Sequence, residues 1–196
     1  MRRPGPTTAS LRESSLPTTL PAVTLILGGA RSGKSAHAES LVLQSGLAPI
    51  YIATAEALDG EMAARIRHHR DRRSVAWHTV EAPLALAEAL LTQSRADRAL
   101  LVDCLTLWLT NLLLAQRDLD AASGQLLAAL AVLPGPVVLV SNEVGLGVVP
   151  LGRLSRDFVD CAGRLHQRLA AQADWVRFVA AGLPLDLKAP AAACIS

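Results

Sequence analysis

Apolar residues along the 196-residue chain follow two rhythms. Short unbroken runs of strand length occur at 22–27, 49–54, 75–80, 99–103, 136–140 and 175–180. Between them lie stretches of helical character at 34–45, 59–73, 83–93, 105–115 and 120–132, the third with Pro83 at its start. Leu151, Leu154, Phe158, Cys161, Ala162, Leu165 and Leu169 recur at three or four residues and predict one long amphipathic helix. Strands alternating with helices imply right-handed βαβ units and a mostly parallel sheet. The pattern predicts one α/β domain over residues 22–188, with a flexible tail at 1–21 and a loose end at 189–196. The Pro- and Ala-rich stretch from Gly182 onward is also expected to be loose.

Ligands of such sheets sit at the carboxyl ends of the strands, and distinctive residues fall there. Gly28-Gly29-Ala30-Arg31-Ser32-Gly33-Lys34-Ser35 fits G-x-x-x-x-G-K-[ST], between a predicted strand and a predicted helix. Glycines let backbone N–H groups curl around a phosphate, and the helix N-terminus adds partial positive charge. Lys34 can reach the β- and γ-phosphates of a nucleotide, and the Ser35 hydroxyl can ligate Mg²⁺. The expected fold is therefore a single P-loop NTPase-like domain with a mostly parallel central sheet flanked by helices.

Asp103 ends the run Ala99–Val102, where phosphate-loop enzymes place a second Mg²⁺ anchor. Its bland alternative is a helix N-cap. A guanine-reading N-K-x-D signature is missing; Asn142-Glu143-Val144-Gly145 lacks both the Lys and the Asp, which argues against a GTPase switch.

Residues 65–73 carry five Arg and one Asp. On a helix, Arg65, His68 and Arg72 would share one stripe, and Met62, Ile66 and His69 a less polar one. Neighbouring positive charge lowers the imidazole pKa of His68 and leaves it a neutral nucleophile. The bland alternative is a solvated basic face. Glu81 could contact a ribose or base, or be a surface carboxylate. His37, His78 and His166 read as structural.

Nineteen Lys and Arg against seventeen Asp and Glu give a formal charge of +2, too little for a dedicated nucleic-acid binder. Cys104, Cys161 and Cys194 form no CxxC pair and read as reduced thiols of a cytoplasmic protein. The longest apolar run, 99–115, is interrupted by Asp103 and Asn111, so no stable membrane insertion is expected. From the residues alone a small-molecule kinase and a non-catalytic GTP-binding module both remain open.

Several motifs narrow this choice. The phosphate loop is followed by Ala38-Glu39, Tyr51-Ile52-Ala53-Thr54, Glu61-Met62-Ala63-Ala64-Arg65-Ile66 with His68-His69, and Trp77 with Glu81. Thr110-Asn111-Leu112-Leu113, Asn142-Glu143-Val144-Gly145, Val149-Pro150 and Arg153-Leu154 come later. In these the chain resembles the bifunctional adenosylcobinamide kinase / adenosylcobinamide-phosphate guanylyltransferase family of cobalamin biosynthesis, over about residues 23–188. The resemblance implies phosphorylation of adenosylcobinamide by ATP or GTP, then GMP transfer from GTP through a guanylyl-histidine, here His68. It implies nucleotide contacts at Gly28 through Ser35, Ala53, Thr54, Ala55, Arg70, Asp71, Arg72, Arg73, Glu81 and Asp103. It also implies Mg²⁺ and a homotrimer, with the 151–169 helix a candidate contact. The chain departs from the family in its longer N-terminus, in residues 189–196, and in His166, where the family often has Asn.

Overall fold

A computed structural model describes residues 19–55 and 77–190. The helix expected at 59–73, with His68 and Arg70 through Arg73, lies outside the described residues, as do 1–18 and 191–196. Seven strands form one sheet: β1 (Val23–Gly28), β2 (Ala48–Ala53), β3 (His78–Glu81), β4 (Arg98–Asp103), β5 (Val137–Asn142), β6 (Trp175–Ala180) and β7 (Leu183–Lys188). Five described helices accompany them: α1 (Lys34–Gln44), α2 (Leu86–Gln93), α3 (Leu105–Leu114), α4 (Leu119–Leu130) and α5 (Arg153–Gln172).

The strand order is β3-β2-β4-β5-β1-β6-β7, parallel throughout except for β7. All six residues of β1 are buried, because helices cover both faces of a parallel sheet. Ile26, Val138, Val140 and Trp175 pack with Ala38, Leu41 and Val42 of α1 on one face. Leu25, Leu100 and Leu139 pack with Leu86, Trp108, Leu126 and Leu165 from α2 to α5 on the other. Asp118 caps α4 by accepting from the Asp120 and Ala121 amides.

Two expectations are corrected. The segment from Gly182 is not loose: it pairs antiparallel with β6 as β7. Ala181 and Gly182 both have positive φ, 51° and 80°, the geometry of a tight two-residue hairpin. Asp186 then locks the strand by accepting from Trp175 Nε1 at 2.8 Å and Arg177 Nε at 2.6 Å. The long helix starts at Arg153, not Leu151. Gly152 precedes it in extended conformation, and Arg156 Nη1 holds the Pro150 and Leu151 carbonyls outside it. Cys161, Ala162, Leu165 and Leu169 form the buried stripe, whereas Leu151 and Leu154 are exposed.

Candidate nucleotide site

The register brings the predicted residues to one edge of the sheet. Glu81, Ala53 and Asp103 end β3, β2 and β4 in one row. Gly28 ends β1 opposite Asn142 of β5 and Val179 of β6. With strands about 4.8 Å apart, β4 lies two spacings, about 10 Å, from β1, and β3 four, about 19 Å. Asp103 is thus the nearer of these two carboxylates to the loop and Glu81 the farther.

The loop from Gly28 to Lys34 folds tightly because its glycines allow it. A Cβ on Gly28 would collide with the Val179 carbonyl oxygen and approach Ser32 Oγ to 2.7 Å. Gly33 sits at φ 96° as the N-cap of α1, and a Cβ there would lie 3.1 Å from Gly182 Cα. Arg31 also takes positive φ, 58°, at the exposed tip. Gly29 and Ala30 complete the turn, which the Ser32 N–H closes onto the Gly29 carbonyl at 3.3 Å. Lys34 is buried, and its Nζ donates to the Gly29 carbonyl at 3.2 Å. Ser32 Oγ is buried without a hydrogen-bond partner among the described residues. Such an orphan in a glycine cradle at a helix N-terminus fits a phosphate acceptor. Ser35 is half-buried in the first turn of α1.

Side chains behind the edge fix the rest. Tyr51 Oη donates to Asp103 Oδ2 at 3.2 Å. Thr54 is fully buried: its hydroxyl donates to the Cys104 carbonyl at 2.8 Å, and its own carbonyl accepts from Asn111 Nδ2 at 2.7 Å. The residue therefore ties the end of β2 to α3 through its carbonyl and to the residue before α3 through its hydroxyl, and Ala53 and Ala55 beside it are half-buried. Glu81 is exposed. Asn142 Nδ2 donates to Thr106 Oγ1 at 2.8 Å. Cys104 and Cys161 are buried free thiols, and burial raises the pKa of each.

Two histidines acquire partners from distant sequence. His166 Nε2 lies 2.7 Å from Ser141 Oγ, and Nδ1 lies 3.7 Å from Glu143 Oε2. Desolvation lowers its pKa, against the opposing pull of Glu143. His37 Nε2 lies 2.9 Å from Arg177 Nη1; burial and that guanidinium lower its pKa. Arg177 links His37 to Asp186, and the hairpin turn reaches the phosphate loop, where Gly182 N donates to the Ser32 carbonyl at 2.8 Å. Sequence reasoning missed this buttress. The alternating Leu183, Leu185 and Leu187 were its only local signal.

Comparisons with known proteins identify the family. A profile of the family described as cobinamide kinase / cobinamide phosphate guanyltransferase matches residues 24–187. The bifunctional adenosylcobalamin biosynthesis protein CobP of Pseudomonas aeruginosa is 60% identical over 166 residues, covering 84% of this chain and 96% of that protein. The bifunctional adenosylcobalamin biosynthesis protein CobU of Salmonella typhimurium is 45% identical over 181 residues, 84% and 98% of the two chains. Among solved structures, an ATPase from the type III secretion system of pathogenic bacteria superposes with a TM-score of 0.52 at 12% identity, over 85% of this chain and 57% of that one. A Pyrococcus horikoshii OT3 protein gives 0.54 at 9% identity over 89% of each chain. At such identities the two structures show the shared fold alone.

Proposed function

The chain belongs to the cobinamide kinase / cobinamide phosphate guanyltransferase family, and we propose that it phosphorylates adenosylcobinamide and then guanylylates the product. The observation that carries the reading is the glycine cradle of Gly28–Ser35, with its orphaned Ser32 hydroxyl, on the same sheet edge as Asp103. ATP or GTP binds with its phosphates on the loop amides, and Lys34 leaves the Gly29 carbonyl to neutralise them. Ser35 and Asp103 are the residues that would hold Mg²⁺, which supplies charge neutralisation for phosphoryl transfer. Tyr51 orients the Asp103 carboxylate. Ala53, Ala55 and Glu81 take the nucleoside end; Thr54, expected there too, is fully buried and holds the end of β2 in place behind them instead. Arg70, Asp71, Arg72 and Arg73 supply further nucleotide contacts.

In the kinase step the substrate hydroxyl attacks the γ-phosphorus and releases its proton to solvent, the bond to the β-phosphate oxygen breaks, and a nucleoside diphosphate leaves. In the second step the neutral imidazole of His68 attacks the α-phosphorus of GTP. A P–N bond forms and pyrophosphate departs. The phosphate of the phosphorylated cobinamide then attacks the same phosphorus, the P–N bond breaks, and His68 is regenerated. The enzyme works as a cytoplasmic homotrimer. The three exposed leucines of edge strand β7, Leu183, Leu185 and Leu187, support self-association.

Intact-protein mass spectrometry after incubation with GTP and Mg²⁺, without corrinoid and without acid, tests the reading. A GMP adduct present in wild type and His69→Ala but lost in His68→Ala is expected. GTP binding without any adduct would refute the guanylyltransferase half.

A further inference from the structure

Immediately beyond β5 the chain runs Val144-Gly145-Leu146-Gly147-Val148-Val149-Pro150-Leu151-Gly152, nine residues without a charge. Its apolar side chains stand in solvent: Leu146 is 78% exposed, Val148 95%, Val149 73% and Leu151 99%. Soluble proteins do not usually leave a contiguous apolar patch open unless something binds it.

The loop is also held in shape at both ends. At its root Glu143 N donates to the Gly28 carbonyl at 3.0 Å, and Glu143 Oε1 accepts from Gly145 N at 2.7 Å. His166 backs the same carboxylate from α5. At its far end Arg156 grips the Pro150 and Leu151 carbonyls. The root bond ties the apolar hoop directly to the first residue of the phosphate loop.

We propose that this loop is the platform on which the corrinoid macrocycle of cobinamide rests, an assignment that depends on the function proposed above. The acceptor hydroxyl must reach a phosphate on the loop at Gly28–Ser35, so the body of its carrier must lie close by. A corrinoid is a broad ring whose rim carries methyl groups between its amide arms, and those methyl groups gain from an apolar support. Apolar side chains separated by glycines offer it a low, charge-free surface, and burying them supplies affinity without needing polar partners. A second copy of this chain is the competing occupant, but β7, at the outer edge of the sheet, offers a leucine face of its own for that role.

The test is Val148→Ser with Leu151→Ser, at side chains so exposed that folding does not depend on them. Val132→Ser is the control: its side chain is 67% exposed, before β5, at the opposite edge of the sheet. Steady-state phosphorylation of adenosylcobinamide gives the KM for corrinoid and for nucleotide, and light scattering gives the oligomeric state. The double variant is expected to raise the corrinoid KM about tenfold to a hundredfold with the nucleotide KM as the unmoved reference, and Val132→Ser to leave both alone. An unchanged corrinoid KM would overturn the assignment, and so would a change confined to oligomeric state. Failure of the wild-type protein to phosphorylate adenosylcobinamide at all would instead refute the function itself.

Discussion

Asp186→Ala removes the carboxylate that closes the β6–β7 hairpin. The Arg177 side chain is 3% exposed and that of Asp186 22%. The change deletes the 2.6 Å contact to Arg177 Nε, the 2.8 Å bond from Trp175 Nε1 and the longer 3.5 Å contact to Arg177 Nη2. Removing one partner of a buried pair costs about 3–5 kcal/mol, because the surviving charge stays buried and uncompensated. Here Arg177 keeps the Trp175 ring at 4.2 Å and His37 at 2.9 Å, and the open side of Asp186 admits water. The low end is therefore expected, about 3 kcal/mol. For a chain of this size class that lowers Tm by roughly 6–12 °C. Urea unfolding followed by circular dichroism measures the free energy, and a thermal melt the midpoint. Arg177→Met combined with Asp186→Leu should recover most of the loss, because no lone charge remains. A loss under about 1 kcal/mol, or a double variant no better than the single one, would refute the argument.

Three further outcomes follow from the site and its histidines. Gly28→Ala drives a Cβ into the Val179 carbonyl and Ser32 Oγ; nucleotide affinity should fall by about tenfold or more, on the scale of 1.4 kcal/mol per decade, and calorimetric titration reads it. Asp103→Asn should lower turnover by about 100-fold or more while keeping the fold; steady-state rates close to wild type would remove Asp103 from the chemistry. Burial holds the His37 and His166 pKa values below 6.5. The unfolded chain therefore takes up their protons first as pH falls. Their contribution is complete above pH 6.5 and is lost on descent through the folded pKa values. Unfolding free energies between pH 7.5 and 5 should show that decline, and His166→Asn should make it shallower.

The strands with unbroken apolar runs were readable because burial on both sheet faces leaves no room for polar residues; Ala99–Val102 and Val137–Val140 are such cases. The phosphate loop was readable because its glycines answer to local backbone geometry. β7 was hidden for the opposite reason. The alternation of its three leucines is a weak signal broken by Pro184, and the pairing that fixes the strand sets Asp186 against Arg177 across the hairpin. Leu151 belonged by spacing to the helix stripe, yet Gly152 and the Arg156 grip keep it out. The partners of Asp103 and His166, namely Tyr51, Ser141 and Glu143, depend on register, which no local pattern encodes.

The central position of β1 also sets an order of events during synthesis. Of the described strands it leaves the ribosome first, yet its neighbours β5 and β6 are made much later. The bond from Val23 N to Asp174 Oδ2 spans 151 residues. Until then a strand that is fully buried in the native sheet waits unpaired, the situation in which nascent chains aggregate or recruit chaperones. The phosphate loop waits longer still for the Gly182 amide that supports it. A chain halted before β7 would carry the whole nucleotide motif and lack the turn that holds it in shape.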